Sequence, residues 1–133
     1  MDISSLNWLA VLLAAASGFV VGGLWYGPLF GKAWMAASGM TEEKGRSANR
    51  GLLYGGAALL NLIAATSLAM FIGATSDWRF GLMAGFLTGA TFVSTAIGVI
   101  YLFEMRSLRL FLINAGYQTV NFSIMGLILG AWR

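Results

Sequence analysis

The sequence predicts an all-α integral membrane protein that forms a single domain over residues 1–133, an antiparallel four-transmembrane-helix bundle. Four stretches without Asp, Glu, Lys or Arg make up most of the chain: 3–31, 51–76, 80–103 and 110–132. A helix needs about 20 apolar residues to cross a bilayer, and each stretch is longer than that. Of all residues, 59% are hydrophobic and only 10% charged, whereas soluble domains carry about 25% charged residues. Strands of membrane barrels span only about 9–11 residues, so helices are predicted.

The first span is predicted over residues 6–27. Pro28 follows it, and a proline ends or kinks a helix because it lacks the backbone N–H and its ring clashes with the preceding turn. The connection after Pro28 is the only long one in the chain. Within it, residues 31–39 (GKAWMAASG) predict a short interfacial helix in the first cytoplasmic loop.

The second span is predicted over residues 51–74. Thr41 is a suitable N-cap residue, and Glu42 and Glu43 follow it, where the positive end of a helix dipole favours negative charge. We therefore expect the second helix to begin near Glu42, in water, and to run unbroken to about Ala74.

The third and fourth spans are predicted over residues 80–103 and 110–131. The loops around Asp77–Arg79 and Glu104–Arg109 are short. Because short loops join neighbouring helices of opposite direction, consecutive spans are expected to be antiparallel neighbours, as in a four-helix bundle.

Basic residues in the loops predict the orientation of the spans. Six of them fall on one side of the membrane: Lys32, Lys44, Arg46, Arg50, Arg106 and Arg109. Arg79 and Arg133 fall on the other side. Since cytoplasmic loops carry the excess of Lys and Arg, we expect the first side to be cytoplasmic and both termini to lie outside.

The residue types that are missing exclude several functional classes. Without cysteine or histidine, the usual zinc and haem ligand sets cannot form, and no metal or cofactor is expected. The predicted spans hold no carboxylate or basic side chain, so neither a proton-driven antiporter nor an enzyme with an activated nucleophile is expected, and no catalytic residue is assigned. The basic residues lie in separate loops and form no continuous face, so nucleic acid is not an expected partner.

Glycines recur at four-residue spacing along the predicted spans. The pairs and triplets are Gly18/Gly22, Gly23/Gly27, Gly51/Gly55, Gly81/Gly85/Gly89 and Gly126/Gly130. This spacing places glycines on one helix face and lets two backbones approach closely. We expect most of them to pack helices within the bundle and the remainder to support a homo-oligomer.

Polar residues inside the spans are the candidate cavity or solute-binding residues. They are Asn61, Thr88, Thr91, Thr95, Asn114, Tyr117, Gln118 and Asn121. The four on the last span fall within an arc of about 100°, and the three threonines share a narrower arc. Since amides cannot cheaply face lipid, we expect these side chains to point inward and to meet each other. Five of them are expected near mid-membrane depth: Asn61, Thr91, Thr95, Gln118 and Asn121.

Two functions remain open for these residues. In the first, they line a polar cavity within the bundle, and the protein is a channel or facilitator that binds or passes a small neutral or weakly charged solute. In the second, they only hydrogen-bond helices to one another, at about 0.6 kcal/mol each. The protein would then be a structural or accessory subunit that packs against itself or against a membrane-protein partner.

Charged residues at the inner boundary give a second group of candidates. They are Lys32, Arg50, Glu104, Arg106 and Arg109. We interpret Lys32 and Arg50 as topology signals, and Glu104 with the two following arginines as a surface turn. The alternative is that this cluster holds a lipid head group. Membrane lipids are expected partners in either case.

Two parts of the sequence resemble the bacterial membrane proteins grouped as domain of unknown function 1761. The first comprises Asn7–Val11 and Leu24–Met35, which includes Trp25-Tyr26-Gly27-Pro28 and Gly31-Lys32-Ala33-Trp34. The second comprises Tyr101–Glu104, Leu110–Gln118 and Met125-Gly126. Where the family pattern has Glu-Gly-Arg-Pro in the third loop, this chain has Glu104-Met105-Arg106-Ser107.

The resemblance implies a small helical protein of the bacterial cytoplasmic membrane and assigns no activity, cofactor or catalytic residue. It extends over nearly the whole chain. It also makes nine positions the best candidates for a role common to the family: Trp25, Tyr26, Pro28, Lys32, Trp34, Glu104, Asn114, Tyr117 and Gln118. That role is either functional or architectural.

Overall fold

The computed structural model describes residues 3–73 and 77–132, and every regular element in these ranges is helical. The all-α prediction is therefore confirmed for this part of the chain. After a 3₁₀ turn at Ile3–Ser5, the helices are α1 (Trp8–Leu24), α2 (Gly31–Ser38), α3 (Glu42–Arg46), α4 (Arg50–Ile72), α5 (Trp78–Leu87), α6 (Ser94–Phe103) and α7 (Leu108–Ala131).

Two π-helical turns lengthen these helices. The turn Trp25–Leu29 extends α1 and contains Pro28, and the helix ends at Phe30 as that proline predicted. The turn Thr88–Val93 joins α5 to α6 in one rod from Trp78 to Phe103. The long helices coincide within a few residues with the predicted spans, although Ala74 lies outside the described residues.

Among the described residues, three helices are long and apolar enough to cross a membrane, by length and composition alone. They are Trp8–Leu29, Arg50–Ile72 and Trp78–Phe103. Helix α7 has 24 residues and is long enough, but it carries four of the eight candidate polar residues and does not meet the same criterion.

The prediction that the second helix begins near Glu42 is wrong. The Thr41 hydroxyl does accept a hydrogen bond from the Lys44 N–H at 3.1 Å, but the helix that it caps ends at Arg46. A second cap follows, because Asn49 has an extended backbone and its side chain accepts from the Leu52 N–H at 3.1 Å. Two caps so close together break the chain into the short α3 and the long α4.

The short helix predicted after Pro28 is present as α2. It ends at Gly39, whose φ of 78° lies in the left-handed region that favours glycine. Its Trp34 ring packs against the Tyr26 ring with 5.7 Å between their centroids, so α2 folds against the end of α1.

Helix α7 lies at the centre of the molecule. It contacts α1 on one side and α5 and α6 on the other, while α4 packs against α1 and α7. Consecutive long helices are antiparallel, as expected. At one end of α1 the Asn7 side chain donates to the Trp132 carbonyl, and at the other the Trp25 indole donates to the Ile113 carbonyl.

The main apolar cluster fills only one half of the bundle. It joins the start of α1, the end of α4 and the end of α7 through Ala10, Val11, Ala14, Ala15, Ala65, Leu68, Ala69, Ile72, Met125 and Leu129. In the other half, the first turns of α4 have no comparable packing, and Leu52, Leu53, Leu59 and Leu60 are exposed. Helices α1 and α4 are therefore held together at one end and leave a cleft at the other.

Glycines hold α5 against α7 at backbone contact. A Cβ atom added to Gly130 would lie 2.5 Å from the Asp77 carbonyl oxygen, and one added to Gly89 would lie 2.7 Å from the Gln118 carbonyl oxygen. Cβ atoms added to Gly81, Gly85 and Gly126 would lie closer still to the backbone of the opposite helix. The packing role predicted for these two glycine series is confirmed, since no side chain fits between the helices.

The remaining glycine pairs differ from one another. Gly18 and Gly22 face side chains of α4 and α7. Gly23, Gly27 and Gly55 have nothing within 4 Å of an added Cβ atom. Packing within the bundle is therefore not the role of these three.

The turn before α7 differs in sequence from the family pattern that the chain resembles. Met105 takes the position of the pattern's glycine and has a φ of 56°, a left-handed conformation that costs a non-glycine residue roughly 1–2 kcal/mol. Ser107 takes the position of its proline, and the Ser107 hydroxyl caps α7 by accepting from the Leu110 N–H at 3.1 Å.

The glycine contact can be tested with Gly85→Ala. The added methyl would overlap the Phe122 backbone, so α5 and α7 must separate, and we expect a loss of about 1–3 kcal/mol in the free energy of unfolding. Gly55→Ala is the matched control, because the same methyl meets nothing within 4 Å. Unfolding in detergent measures both, and equal effects of the two substitutions would contradict the contact.

Candidate functional site

Asn114 joins three helices near the end of the bundle that carries the basic residues. The Tyr26 hydroxyl, on the π-helical end of α1, donates to Asn114 Oδ1 at 2.6 Å. Asn114 Nδ2 in turn donates to the Tyr101 hydroxyl on α6 at 2.7 Å. Both ends of this amide are occupied by protein partners, so it connects α1, α6 and α7.

Tyr117 lies one turn further along α7 and faces α1. Its hydroxyl donates to the Gly18 carbonyl oxygen at 3.0 Å, and its ring packs on that of Tyr26 with 5.2 Å between centroids. Gly22 faces the same ring, and a Cβ there would lie 3.5 Å from the hydroxyl oxygen. The Tyr117 side chain thus packs against α1 at Gly18 and Gly22.

Asn61 and Asn121 meet beside Gly18. A Cβ atom added to Gly18 would lie 3.1 Å from Asn61 Oδ1 and 3.2 Å from Asn121 Oδ1, so the absence of a side chain there makes room for both amides. Asn121 is only 1% exposed, and its Oδ1 has no hydrogen-bond partner within the described residues. A buried acceptor without a partner costs about 1–3 kcal/mol.

Gly18 and Asn61 lie at the inner end of a cleft of about 450 Å³ between α1 and α4, and the buried Asn121 lies next to them without lining it. Helix α7 contributes Tyr117 to its floor, while α1 and α4 form its walls. The lining residues are Gly18, Phe19, Gly22, Gly23, Tyr26, Gly27, Leu53, Tyr54, Ala57, Asn61 and Tyr117. Since α7 closes the floor, the cleft opens sideways, between the exposed faces of α1 and α4.

The prediction that the threonines of the third span point inward is wrong for Thr91 and Thr95, which are exposed. Each hydroxyl donates to the carbonyl oxygen four residues earlier on its own helix, as does that of the half-buried Thr88. The glycines of α5 decide which face packs on α7, and Thr91, two residues beyond Gly89, lies on the opposite side of the helix.

Gln118 is half-buried and has no side-chain hydrogen bond within the described residues. Its backbone carbonyl lies against Gly89, in the contact between α5 and α7. It is not among the residues that line the cleft between α1 and α4. The structure therefore brings Asn61, Tyr117 and Asn121 together, and it leaves Gln118 outside that group.

Ser94 is a buried polar residue that the sequence did not single out. Its hydroxyl donates to the Gly89 carbonyl at 2.6 Å and approaches the Ala115 carbonyl of α7 at 3.4 Å. The π-helical turn adds one residue, so the face that carries Gly81, Gly85 and Gly89 continues at Ser94. A four-residue repeat alone would miss that shift.

The charged candidates lie at one end of the bundle, and all are exposed: Lys32, Arg50, Glu104, Arg106 and Arg109. Glu104 Oε1 accepts a hydrogen bond from Arg106 Nε at 2.7 Å, and this carboxylate raises the pKa of the Arg106 guanidinium. Arg106 also lies over the Tyr101 ring. Binding of a lipid head group here stays a prediction.

Taken together, the described residues define an all-helical protein with three helices long and apolar enough to span a membrane, by length and composition, and a polar cluster against the central helix. Residues 9–130 match the family described as Protein of unknown function (DUF1761), and the chain belongs to that family. No curated protein and no solved structure matches it. The family resemblance predicted from the sequence is confirmed.

The register role of Asn114 can be tested with Asn114→Leu. The substitution leaves the Tyr26 and Tyr101 hydroxyls without their amide partner, and we expect a loss of about 1–3 kcal/mol in the free energy of unfolding. Thr95→Val, on the exposed face of α6, should change it by less than about 0.5 kcal/mol. If a detergent unfolding titration gave similar losses of unfolding free energy for both variants, the hydrogen bonds of Asn114 to Tyr26 and Tyr101 would not hold the helices together.

Proposed function

We propose that the protein crosses the bacterial cytoplasmic membrane four times, with α7 as the fourth span. The three apolar helices and α7 have comparable lengths, and contact with α1, α4, α5 and α6 shields the polar side of α7. Such shielding is what a polar helix needs in lipid, because its amides would otherwise meet hydrocarbon.

The orientation follows from charge. The six basic residues of the first and third loops lie at one end of the bundle, and Arg79 lies at the other. Arg133, also counted for the topology, lies outside the described residues. The positive-inside rule then supports cytoplasmic α2 and α3, with both termini outside.

The native chain lacks cysteine, so single cysteines report topology directly. An impermeant maleimide added to intact cells should label Ile3→Cys and Trp132→Cys, and it should label Gly45→Cys only after permeabilisation. A chain that crosses three times would place Trp132→Cys and Gly45→Cys on the same side, and identical labelling of those two variants would contradict the fourth span.

We propose further that the protein binds a small uncharged solute at the polar end of the α1–α4 cleft, as a facilitator does. The observation that carries this proposal is a cleft of about 450 Å³ that has the Asn61 amide in its lining and Asn121 Oδ1, a buried acceptor without a partner within the described residues, next to it. An amide that served only to pack helices would have both of its ends occupied, as Asn114 has.

The lining of the cleft favours an uncharged solute. Its residues are apolar, aromatic, amide or glycine, and none of them is ionisable as an acid or a cation near neutral pH. A charged solute would lose its hydration on entering the cleft and would find no group of opposite charge there. That desolvation costs several kcal/mol. A neutral solute with hydrogen-bond donors avoids that cost.

Asn121→Leu separates solute binding from helix packing. Removing a buried acceptor that has no partner should leave the free energy of unfolding unchanged or raise it by about 1 kcal/mol, whereas removing a packing amide should lower it. Bound solute stabilises the folded state, so neutral amides should raise the melting temperature of the native protein and not that of this variant.

Thr91→Val is the control, because the Thr91 side chain does not line the cleft. Neutral amides should raise the melting temperature of this variant as much as that of the native protein. Two results would end the proposal: a loss of stability in Asn121→Leu of the size seen for a packing amide, or an effect of neutral amides that survives this substitution.

The accessory-subunit function is the second candidate, and the exposed first half of α4 favours it. Leu52, Leu53, Leu59 and Leu60 are more than half exposed, and Gly55 would admit close approach of another helix. A second copy of the chain or another membrane protein would fit such a face. Isolation with a second membrane protein in fixed ratio would favour this function over solute binding.

A further inference from the structure

We propose that the groove between α6 and the start of α7 binds one anionic phospholipid of the cytoplasmic leaflet. Arg106 binds the lipid phosphate at the cytoplasmic end of the groove, and one acyl chain lies along the apolar walls. The groove shares no lining residue with the α1–α4 cleft, so this inference goes beyond the proposed solute binding. It rests on the proposed membrane orientation.

The groove combines one cation with apolar walls. Its volume is about 400 Å³, and Val99 and Leu102 of α6 face Leu108 and Phe111 of α7 across it. Among the described residues that line it, Arg106 alone carries a charge. A ligand that fits this lining has an anionic head and an apolar body, which is the chemistry of an anionic lipid.

The end of α6 fixes the position of Arg106. The Arg106 N–H donates to the Tyr101 carbonyl at 2.9 Å, and the chain turns through Met105, whose φ is 56°. The Met105 N–H donates to the Leu102 carbonyl at 3.1 Å. Together these bonds form a Schellman motif, which folds the residue after the turn back over the helix. The Arg106 guanidinium accordingly lies over the Tyr101 ring, 5.7 Å from its centroid.

The Arg106 guanidinium is held in place and still has donors to offer. Its Nε donates to Glu104 Oε1 at 2.7 Å, and Asn114 Nδ2 donates to the hydroxyl of the Tyr101 ring beneath it. Within the described residues, its two terminal nitrogens make no hydrogen bond. They can donate to two phosphate oxygens at once, the geometry in which a guanidinium binds phosphate most strongly.

The direction of the groove matches the path of an acyl chain. Along α6 its lining runs from Leu102 to Thr95, about 10 Å at 1.5 Å per residue. In the proposed orientation it begins at the cytoplasmic boundary and runs toward the centre of the bilayer. An acyl chain attached to a phosphate at Arg106 would cover these walls, whereas a water-soluble phosphate ester would leave them bare.

The charge of this end of the bundle favours an anionic lipid over a zwitterionic one. Six basic residues lie there: Lys32, Lys44, Arg46, Arg50, Arg106 and Arg109. Among the described residues they are accompanied by three carboxylates, of which Glu104 is nearest to the groove but does not line it. An ammonium head group would meet this excess of positive charge, and a head group without a cation would not.

Native mass spectrometry of the purified protein, titrated with lipids of identical acyl chains, tests the class of ligand. Phosphatidylglycerol should bind roughly fivefold more tightly than zwitterionic phosphatidylethanolamine. Glycerophosphoglycerol, the same head group without acyl chains, should not displace it. Equal affinities of the two lipids would overturn the anionic ligand. Displacement by glycerophosphoglycerol would overturn the acyl chain and identify a site for soluble phosphate esters.

Two arginine variants test the head-group site. Arg106→Gln should weaken phosphatidylglycerol about tenfold and remove its advantage over phosphatidylethanolamine, because charge-assisted hydrogen bonds are lost. Arg109→Gln is the matched control, since Arg109 is exposed at the same end and does not line the groove. It removes the same charge and should change the affinity by about twofold at most. Equal losses in both variants would reveal only general attraction to positive charge and would overturn the site.

Two tryptophan variants test the position of the acyl chain. Val99 and Ile100 are 55% and 54% exposed, but only Val99 lines the groove. Val99→Trp should fill part of the groove and weaken phosphatidylglycerol about threefold through lost chain contacts, while Ile100→Trp should have no effect. If Val99→Trp does not fold, Leu102→Trp supplies the same test, because Leu102 is also exposed and lines the groove.

Thermal unfolding without added lipid verifies that each variant folds. Equal effects of Val99→Trp and Ile100→Trp would place the chain outside the groove and contradict the proposal. If cysteine labelling gives the expected orientation and the native protein shows no preference for phosphatidylglycerol, this inference fails alone. The proposed solute binding is unaffected by that result, because it is measured with neutral amides at the other site.

Discussion

The contact between the backbones of α5 and α7 is the constraint on which the rest of the structure depends. Gly81, Gly85 and Gly89 meet Gly126 and Gly130 with no side chain between the helices. Such closeness gives dispersion contact along much of both helices. It commits one face of α7 to α5, and that choice turns Tyr117 and Asn121 toward α1 and α4.

The site follows from unequal packing on that second face. Alanines of α1 and α4 close tightly around Met125, which is fully buried, in one half of the bundle. In the other half, glycines of α1 and exposed leucines of α4 leave the helices apart. Asn61 and Asn121 lie where the tightly packed half meets the open half, so Asn61 lines the cleft while Asn121 is buried beside it.

Much of this could be predicted from the sequence, because helix length, apolar composition and caps are local properties. The inward position of Asn121 followed from the cost of an amide in lipid, and the role of Thr41 as a cap followed from its residue type. Thr91 and Thr95 were placed wrongly because their hydroxyls can bond their own helix, so polarity gives little information about direction. Ser94 required the π-helical turn, and the missing partner of Asn121 depends on tertiary distances that no single sequence shows.

The central claim is that α7, the most polar of the long helices, is the buried core of a membrane-spanning bundle. Hydrogen–deuterium exchange of the protein in lipid vesicles tests it most directly, because amides in a helix shielded from water by its neighbours exchange only when the bundle opens. The account predicts that residues 117–126 are at least as protected as the centres of α1 and α5. Rapid exchange of this segment, with the apolar helices still protected, would show α7 outside the bundle and would contradict the account.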